Sequence, residues 1–291
     1  MAIRSVKDIV DAYSQGRVHT QRFYKSASTT GDTNFIDWSF AAGQPAYDAR
    51  IGTSLTFTQA IASGNDSIFI PSITSGLERR LAQMELVTSA GATNQASVDA
   101  VVYDLLGYYP LIDGDSTDEQ LMVNTLTLPR YTDGVGVKAV IVNHVAPMVS
   151  SASGTLKYVN TDDVEQTVSF GVGLTGQNKV CSQMNSTTSV GQLTLPLASG
   201  DKGVKAINSI QFTGAPGGLF CIYLIKTLTT ITNNDGSLVS GSKSVTEKDF
   251  CALNGFMQPV IYDGAHLGMF IRPNGGTTTV SMFGNMTFIW G

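Results

Sequence analysis

The chain alternates short apolar or β-branched runs with turns that are rich in Gly, Asn, Asp and Pro. A period of two is clear where Leu55, Phe57 and Gln59 alternate with Thr56 and Thr58, which predicts a strand with one buried face. Similar runs recur along the chain. They predict strands over residues 52–61, 67–73, 81–88, 98–106, 137–145, 155–159, 165–172, 192–197, 204–212, 218–231, 259–262, 266–271 and 277–290.

One helix is predicted, near the start of the chain. Ser5 is a suitable N-cap residue, Asp8 follows three residues later, and Gly16 ends the segment. About three turns of helix are not stable alone, so the apolar face must be buried against this chain or a neighbour. That face contains Val6, Ile9, Val10 and Tyr13.

Many closely spaced strands without long helices between them predict an all-β, jelly-roll-like antiparallel β-sandwich with a short N-terminal amphipathic helix. We divide the chain into an N-terminal helix and arm, residues 1–30, and a β-sandwich body, residues 31–291. The length is compatible with one body or with two lobes, 31–148 and 149–291, and both divisions remain open. The aromatic end, Phe288 to Trp290, is expected to pair into a sheet.

Charge is scarce and unevenly distributed. Only 14% of the residues are charged, against 42% that are hydrophobic, and the net charge of −5 argues against a nucleic-acid partner. Residues 1–25 carry +3, which leaves −8 for residues 26–291. Between Arg80 and Arg130 there are seven acidic residues and no basic one.

A basic arm on an acidic body suits contact between like subunits or with an acidic neighbour. A solvated helix face beside an ordinary acidic surface is the simpler interpretation and stays open. The candidate assembly contacts are Arg4, Val6, Lys7, Ile9, Val10, Tyr13, Arg17 and Arg22.

The thiols and histidines give no sign of a cofactor or a structural metal. Cys181, Cys221 and Cys251 are too scattered for a disulfide framework or a zinc site, so we interpret them as core residues. His19 and His144 stand singly, which favours packing roles. No apolar run has the length of a signal peptide or a bilayer span, so we expect synthesis in a reducing cytoplasm and no membrane partner.

The acidic stretch from Asp113 to Glu119 invites a calcium interpretation. It departs from the helix-loop-helix template because Asp118 stands where the turn glycine is needed and Asn124 where the bidentate Glu is needed. An irregular carboxylate site and a solvated loop remain as alternatives.

Two blocks look like those of the lipase family named for its Gly-Asp-Ser motif: Gly114-Asp115-Ser116, and Asp263-Gly264-Ala265-His266. That resemblance would imply a serine nucleophile and a histidine base. However, Gly64-Asn65-Asp66 precedes the serine, whereas that family places its oxyanion asparagine after it, and the surroundings predict an all-β fold. We therefore expect no enzyme activity.

Exposed aromatic side chains would suit a sugar-binding module. Trp38 and the Tyr108-Tyr109-Pro110 cluster are the candidate stacking platforms, although aromatic residues of β proteins are more often in the core.

Four segments together resemble a family of tailed-bacteriophage virion proteins that are described as structural: residues 3–13, 106–136, 199–204 and 262–267. Within such particles, capsid decoration proteins are commonly β-sandwich or jelly-roll trimers that sit where capsomers meet. The resemblance implies a cement protein on the outer surface of the head, a homotrimer whose partners are the major capsid protein and copies of itself. A tail protein or a receptor- or glycan-binding virion protein is the alternative.

Overall fold

A computed structural model describes residues 3–30, 35–46, 50, 52–62, 67–90, 98–145, 148–173, 179–180, 182–183, 193–233, 243–250, 259–273 and 278–291. These residues form one α-helix, α1 (Val6–Ser14), a 3-10 turn (Trp38–Phe40) and 17 strands. The strands are β1 (Val18–Thr30), β2 (Ile36–Asp37), β3 (Gly43–Gln44), β4 (Thr58–Gln59), β5 (Arg79–Ala90), β6 (Val98–Asp113), β7 (Gln120–Leu121), β8 (Val137–Val145), β9 (Ala152–Asn160), β10 (Glu165–Val172), β11 (Lys179–Val180), β12 (Ser182–Gln183), β13 (Val204–Phe212), β14 (Leu219–Asn233), β15 (Lys243–Asp249), β16 (His266–Pro273) and β17 (Thr278–Trp290).

The strands are arranged in three sheets. Sheet I has the order β15-β5-β17-β1-β3, and sheet III has the order β12-β10-β9-β13-β7. Sheet II runs β14-β8-β11-β2-β16-β6-β4, and β14 also pairs with β6. The pairings from β14 through β8, β11, β2 and β16 to β6 therefore return to β14, so sheet II closes into a ring of strands.

Sheet II supplies one wall of each outer core. One part of its long strands packs against sheet I, around Phe23, Met84, Val102 and Met286. Another part packs against sheet III, around residues such as Tyr109, Ile141, Leu156, Ile207 and Ile222. Alternate residues of the same strands point into the ring, because successive side chains of a strand face opposite ways. They form a third cluster that includes Tyr103, Val140, Cys221, Tyr223 and Phe270.

The predicted fold class is confirmed: the protein is an all-β sandwich of antiparallel sheets with one short N-terminal helix. The strands predicted over 137–145, 165–172 and 204–212 have the observed limits of β8, β10 and β13. The predicted hairpin around the turn 160–163 is β9 and β10, paired from Glu165 and Val159 onward. The aromatic end lies in β17, at the centre of sheet I.

Four predicted strands are wrong or shortened. Residues 67–73 and the described residues 193–197 form no strand, while 259–262 contributes a single bridge at Val260. The strand predicted over 52–61 reduces to β4. Pro71 and Pro196 interrupt two of these runs and Pro259 begins a third, and proline cannot donate to a β-ladder.

The larger part of the predicted N-terminal arm belongs to sheet I. Residues 18–30 form β1, which pairs along its length with β17, from Val18 opposite Ile289 to Thr30 opposite Thr278. Only α1 and its flanking residues lie outside the sheet. The division of residues 31–291 into one body or two lobes stays a prediction.

Candidate assembly surface

The sequence signals that start and end α1 operate as predicted. The Ser5 hydroxyl accepts a hydrogen bond from the Asp8 amide at 3.2 Å, and the Asp8 carboxylate accepts one from the Arg4 amide at 2.8 Å. The bond from the Arg4 amide and the bond from Ser5 lower the pKa of Asp8. Gly16 follows the helix with φ +67, a left-handed conformation that glycine adopts without strain.

The apolar residues of α1 divide into two sets. Ala12 is buried and Ile9 is half-buried, and they pack with Ile3 against Ala82 and Ile289 of sheet I. The other set remains exposed: Val6 by 66%, Val10 by 59% and Tyr13 by 47%. We call Val6, Val10 and Tyr13 the exposed α1 face. Of the four predicted apolar contacts, Ile9 therefore packs into this small core, and Val6, Val10 and Tyr13 are exposed.

The basic candidates are also placed differently from one another. Arg4, Lys7 and Arg22 are exposed, whereas Arg17 is half-buried near the end of β17. The Lys7 ammonium lies 2.5 Å from the Asp11 carboxylate. Lys25 contributes nothing to the surface charge, because its side chain is buried and its ammonium donates to the Ala41 carbonyl at 2.8 Å.

Arg22 lies beside a groove on the outside of sheet I, at a distance along β1 from α1. The groove has a volume of about 650 Å³, and Tyr24, Gln44, Val87 and Phe283 also line it. Between the strands, the Asn285 amide donates to the Glu85 carboxylate at 2.8 Å, while Tyr24 is 49% exposed. We call this feature the sheet I groove.

The predicted acidic connection is an ordered ridge at the edge of sheet III. The Asp113 carboxylate accepts from the Asp115 amide at 2.8 Å, and the Ser116 hydroxyl accepts from the Asp118 amide at 3.1 Å. β7 then pairs with β13, with Leu121 opposite Ser209. We call residues 113–127 the acidic ridge.

The acidic ridge exposes apolar as well as charged side chains. Leu121 is 66% exposed and Leu126 is 50% exposed, and Val123 is exposed between them. Asp113, Asp115 and Asp118 are exposed too. Glu119 is engaged, since its carboxylate accepts from Lys157 at 2.7 Å and from the Ser209 hydroxyl at 2.6 Å. The bond from Lys157, followed by that from Ser209, lowers the pKa of Glu119.

The ridge does not present an evident metal site. Across the part of the chain that the structure describes, no group of three or more His, Cys, Asp or Glu side chains is arranged to hold a metal ion.

The residues of the hydrolase-like blocks have separate local roles. The His266 amide donates to Asp104 at 2.9 Å, and His266 pairs with Leu105 in the middle of β6. β6 ends at Asp113, about eight residues beyond Leu105, which is roughly 26 Å along a strand. Ser116 follows that end of β6. The Asp263 carboxylate instead accepts from Arg79 at 2.8 Å. Residues 64–66 lie outside the described residues.

Inside the ring of sheet II, a buried ionic cluster joins β2 and the 3-10 turn to the long strands. Asp37 and Arg50 form an ion pair in which neither side chain is exposed. Asp37 also accepts from the Tyr223 hydroxyl at 2.7 Å and from the Ser39 hydroxyl at 2.7 Å. Burial alone would raise the pKa of Asp37, but Arg50, Tyr223 and Ser39 together hold it below its usual value.

His144 completes this cluster. The Tyr223 hydroxyl donates its one proton to Asp37, so it accepts from Arg50 at 2.9 Å and from His144 Nε2 at 2.8 Å. A neutral His144 in this position must therefore carry its proton on Nε2. Burial lowers the pKa of His144 to about 4.

A second buried pair lies where β6 meets residues 60 and 130. Arg130 donates to both carboxylate oxygens of Asp104, at 2.8 and 2.7 Å, and to the carbonyls of Ala60 and Leu105. Burial raises the pKa of Asp104, while Arg130 and the His266 amide oppose that rise.

The aromatic and histidine candidates are packing residues. Trp38 is buried, with its ring 5.3 Å from that of Phe23, and Tyr109 is buried in the core below sheet III. His19 packs edge-on against Phe69. Cys221 lies inside the ring as predicted for a core residue. Cys181 and Cys251 lie outside the described residues.

The buried ionic cluster was missed from the sequence, because Asp37 and Tyr223 are brought together only by the ring closure. A charged residue within an apolar or aromatic neighbourhood, as in the run 35–40, is the one signal that the sequence offers.

Comparison with known proteins assigns no family to the chain. No protein-family model matches the chain, and no curated protein matches it. Among solved structures, the VP2 subviral particle of infectious bursal disease virus matches with 11% identity and a TM-score of 0.19, over 94% of this chain and 80% of that one. The Gt strain of the same virus matches with 12% identity and a TM-score of 0.18, over the same shares. Scores this low assign neither a shared fold nor a role.

No helix within the described ranges combines the length and the apolar character that a membrane span requires.

Proposed function

We propose that this protein is a structural component of a tailed-phage particle, a capsid decoration or cement protein that binds the outer head shell and stabilises it. It works as a homotrimer in contact with the major capsid protein. The proposal rests on the resemblance of residues 3–13, 106–136, 199–204 and 262–267 to virion proteins, together with the form of the surface.

The observation that carries the proposal is the exposed α1 face. A short helix gains its stability from tertiary contacts, and yet α1 leaves three of its larger apolar side chains in solvent, beside the exposed Arg4 and Lys7. Exposed apolar groups with a polar rim are typical of protein interaction sites. An assembly partner would cover Val6, Val10 and Tyr13 and remove that apolar area from water.

The test is the position and copy number of the protein in purified particles. A cement protein occupies many equivalent sites, so quantitative staining should give a copy number in the hundreds, and a reconstruction should show it on the head surface. Density confined to the tail, or only a few copies per particle, would contradict the decoration role and leave a tail role.

The sheet I groove favours receptor or glycan binding as the second candidate function. Tyr24 and Phe283 offer ring surfaces, and Arg22, Gln44 and Asn285 offer polar groups around them. Mixed apolar and polar linings of this kind suit small ligands, and aromatic rings can stack on sugars. Binding to a glycan array that is lost in Tyr24→Ala and retained in Val10→Asp would favour this function over assembly.

Hydrolysis is not part of the proposed function. We expect no ester turnover from the unchanged protein, from Ser116→Ala or from His266→Ala, because the proposal gives neither side chain a catalytic role. Ester turnover by the purified chain that disappears in both variants would overturn this expectation.

A further inference from the structure

We infer that the exposed α1 face of one copy binds the acidic ridge of a second copy of this chain. The inference rests on the proposed function, since it names the partner at one of the contacts that the assembly requires. The contact between subunits is therefore head-to-tail, because the exposed α1 face of one copy meets the acidic ridge of the next.

The two surfaces match in apolar character. Each presents three exposed apolar side chains: Val6, Val10 and Tyr13 on the helix, and Leu121, Val123 and Leu126 on the ridge. Both are held on ordered backbone, because α1 is capped at Ser5 and the ridge is fixed by β7 and by the bonds of Asp113 with Gln120. Two such surfaces gain free energy when they cover each other.

The two surfaces are opposite in charge. Residues 4–17, which form α1 and its flanks, contain Arg4, Lys7 and Arg17 against Asp8 and Asp11, a net charge of +1. Residues 113–127 contain four acidic residues and no basic one. Lys157 compensates Glu119 on the ridge. Asp113, Asp115 and Asp118 remain exposed opposite any basic partner, and complementary charge fixes the orientation of a contact.

A second copy fits these observations better than an unrelated partner. Both complementary surfaces are present on the same chain, so every copy supplies both halves of one contact. The surfaces are separate on the chain, since α1 packs on sheet I and the ridge lies on sheet III, and we place them in a heterologous contact. A heterologous contact closes into a ring when the rotation allows, and a ring of three gives the trimer.

The experiment breaks each surface separately in the full-length chain. Val10→Asp places a carboxylate in the exposed α1 face, and Leu121→Asp places one on the ridge. Each variant alone should be monomeric by light scattering at a concentration where the unchanged protein is an oligomer. Mixed one to one, the two variants should form a dimer with twice the mass of one chain, since one intact α1 face and one intact ridge remain.

That dimer separates the head-to-tail contact from its alternatives. An α1-to-α1 contact would leave Leu121→Asp as an oligomer, and a mixture that stays monomeric would overturn the inference. An unchanged protein that is monomeric would overturn it as well. Val245→Asp is the matched control, because Val245 is 61% exposed on β15, opposite Val87 at the edge of sheet I, and lies on neither surface, so this variant should assemble normally.

Failure of this inference is distinguishable from failure of the proposed function. Binding to purified particles is measured with the same variants. A chain that oligomerises as inferred but does not bind phage heads would support the contact between copies and contradict the decoration role. Circular dichroism and the melting temperature of each variant check the fold, and they should be unchanged because both substituted side chains are exposed.

Discussion

The buried ionic cluster and the acidic ridge use the same residue type for opposite purposes. Asp37 lies wholly inside the ring of sheet II, where a guanidinium and three hydroxyl groups compensate its charge. Asp115 and Asp118 lie in solvent, and their backbone amides are bonded within the ridge while their carboxylates face outward. In a chain with few charges, interior charge fixes the position of a segment, and exterior charge remains available to another molecule.

The largest expected effect comes from removing one partner of the interior pair. Asp37→Ala leaves the Arg50 guanidinium buried without its carboxylate, and such changes cost about 3–5 kcal/mol of unfolding free energy. Urea denaturation measures this. Tyr223→Phe keeps the ion pair but removes the hydroxyl that donates to Asp37 and accepts from Arg50 and His144, and it should cost less, about 1–3 kcal/mol. Equal losses in the two variants would contradict the ionic role of Asp37.

Acid should weaken the same cluster through His144. The pKa of His144 is about 4 in the folded chain and close to 6.5 when unfolded, so the unfolded state binds more protons between these values. The contribution of the neutral imidazole to stability is complete above about pH 6.5 and is lost as the pH falls towards 4. The unfolding free energy of His144→Phe should depend less steeply on pH over that interval than that of the unchanged protein. Parallel curves of unfolding free energy against pH for the two proteins would contradict the role given to His144.

The smallest effect on folding is expected at the ridge. Asp115→Ala and Asp118→Ala should change the unfolding free energy by less than about 0.5 kcal/mol, because the carboxylates are exposed. The same substitutions should weaken oligomer formation, and more so at low salt, where attraction between the ridge and a basic surface is least screened. Sedimentation at two ionic strengths measures this. A salt-independent association would argue against a charged contact.

The sequence predicts best where burial alternates. β8, β10 and β13 have a regular apolar pattern or a clear turn at each end, and their limits were predictable. β1 has no such pattern: its residues are mostly polar, and it is a strand because β17 and β3 pair with it. The burial of Lys25 depends on carbonyls of residues 39–46, a contact that no local pattern encodes.

The candidate surface was predictable only in part, because it too depends on contacts between distant segments of the chain. The periodicity of α1 identifies its apolar residues, but it does not say which of them meet sheet I. Ile9 turns towards Ala82 and Ile289, whereas Val6 and Val10 do not. The charge gap between Arg80 and Arg130 indicates an acidic region, and only the pairing of β7 with β13 shows that Leu121 is exposed beside it.

The position of β17 has a consequence for synthesis. β17 lies between β5 and β1, and both of these emerge from the ribosome much earlier, with roughly 190 residues separating β5 from β17. At about 5–20 residues per second, β1 and β5 wait on the order of 10–50 s for the strand that joins them. Sheet I is therefore completed late, and during this interval the strand edges that β17 will cover are exposed to aggregation and to chaperones.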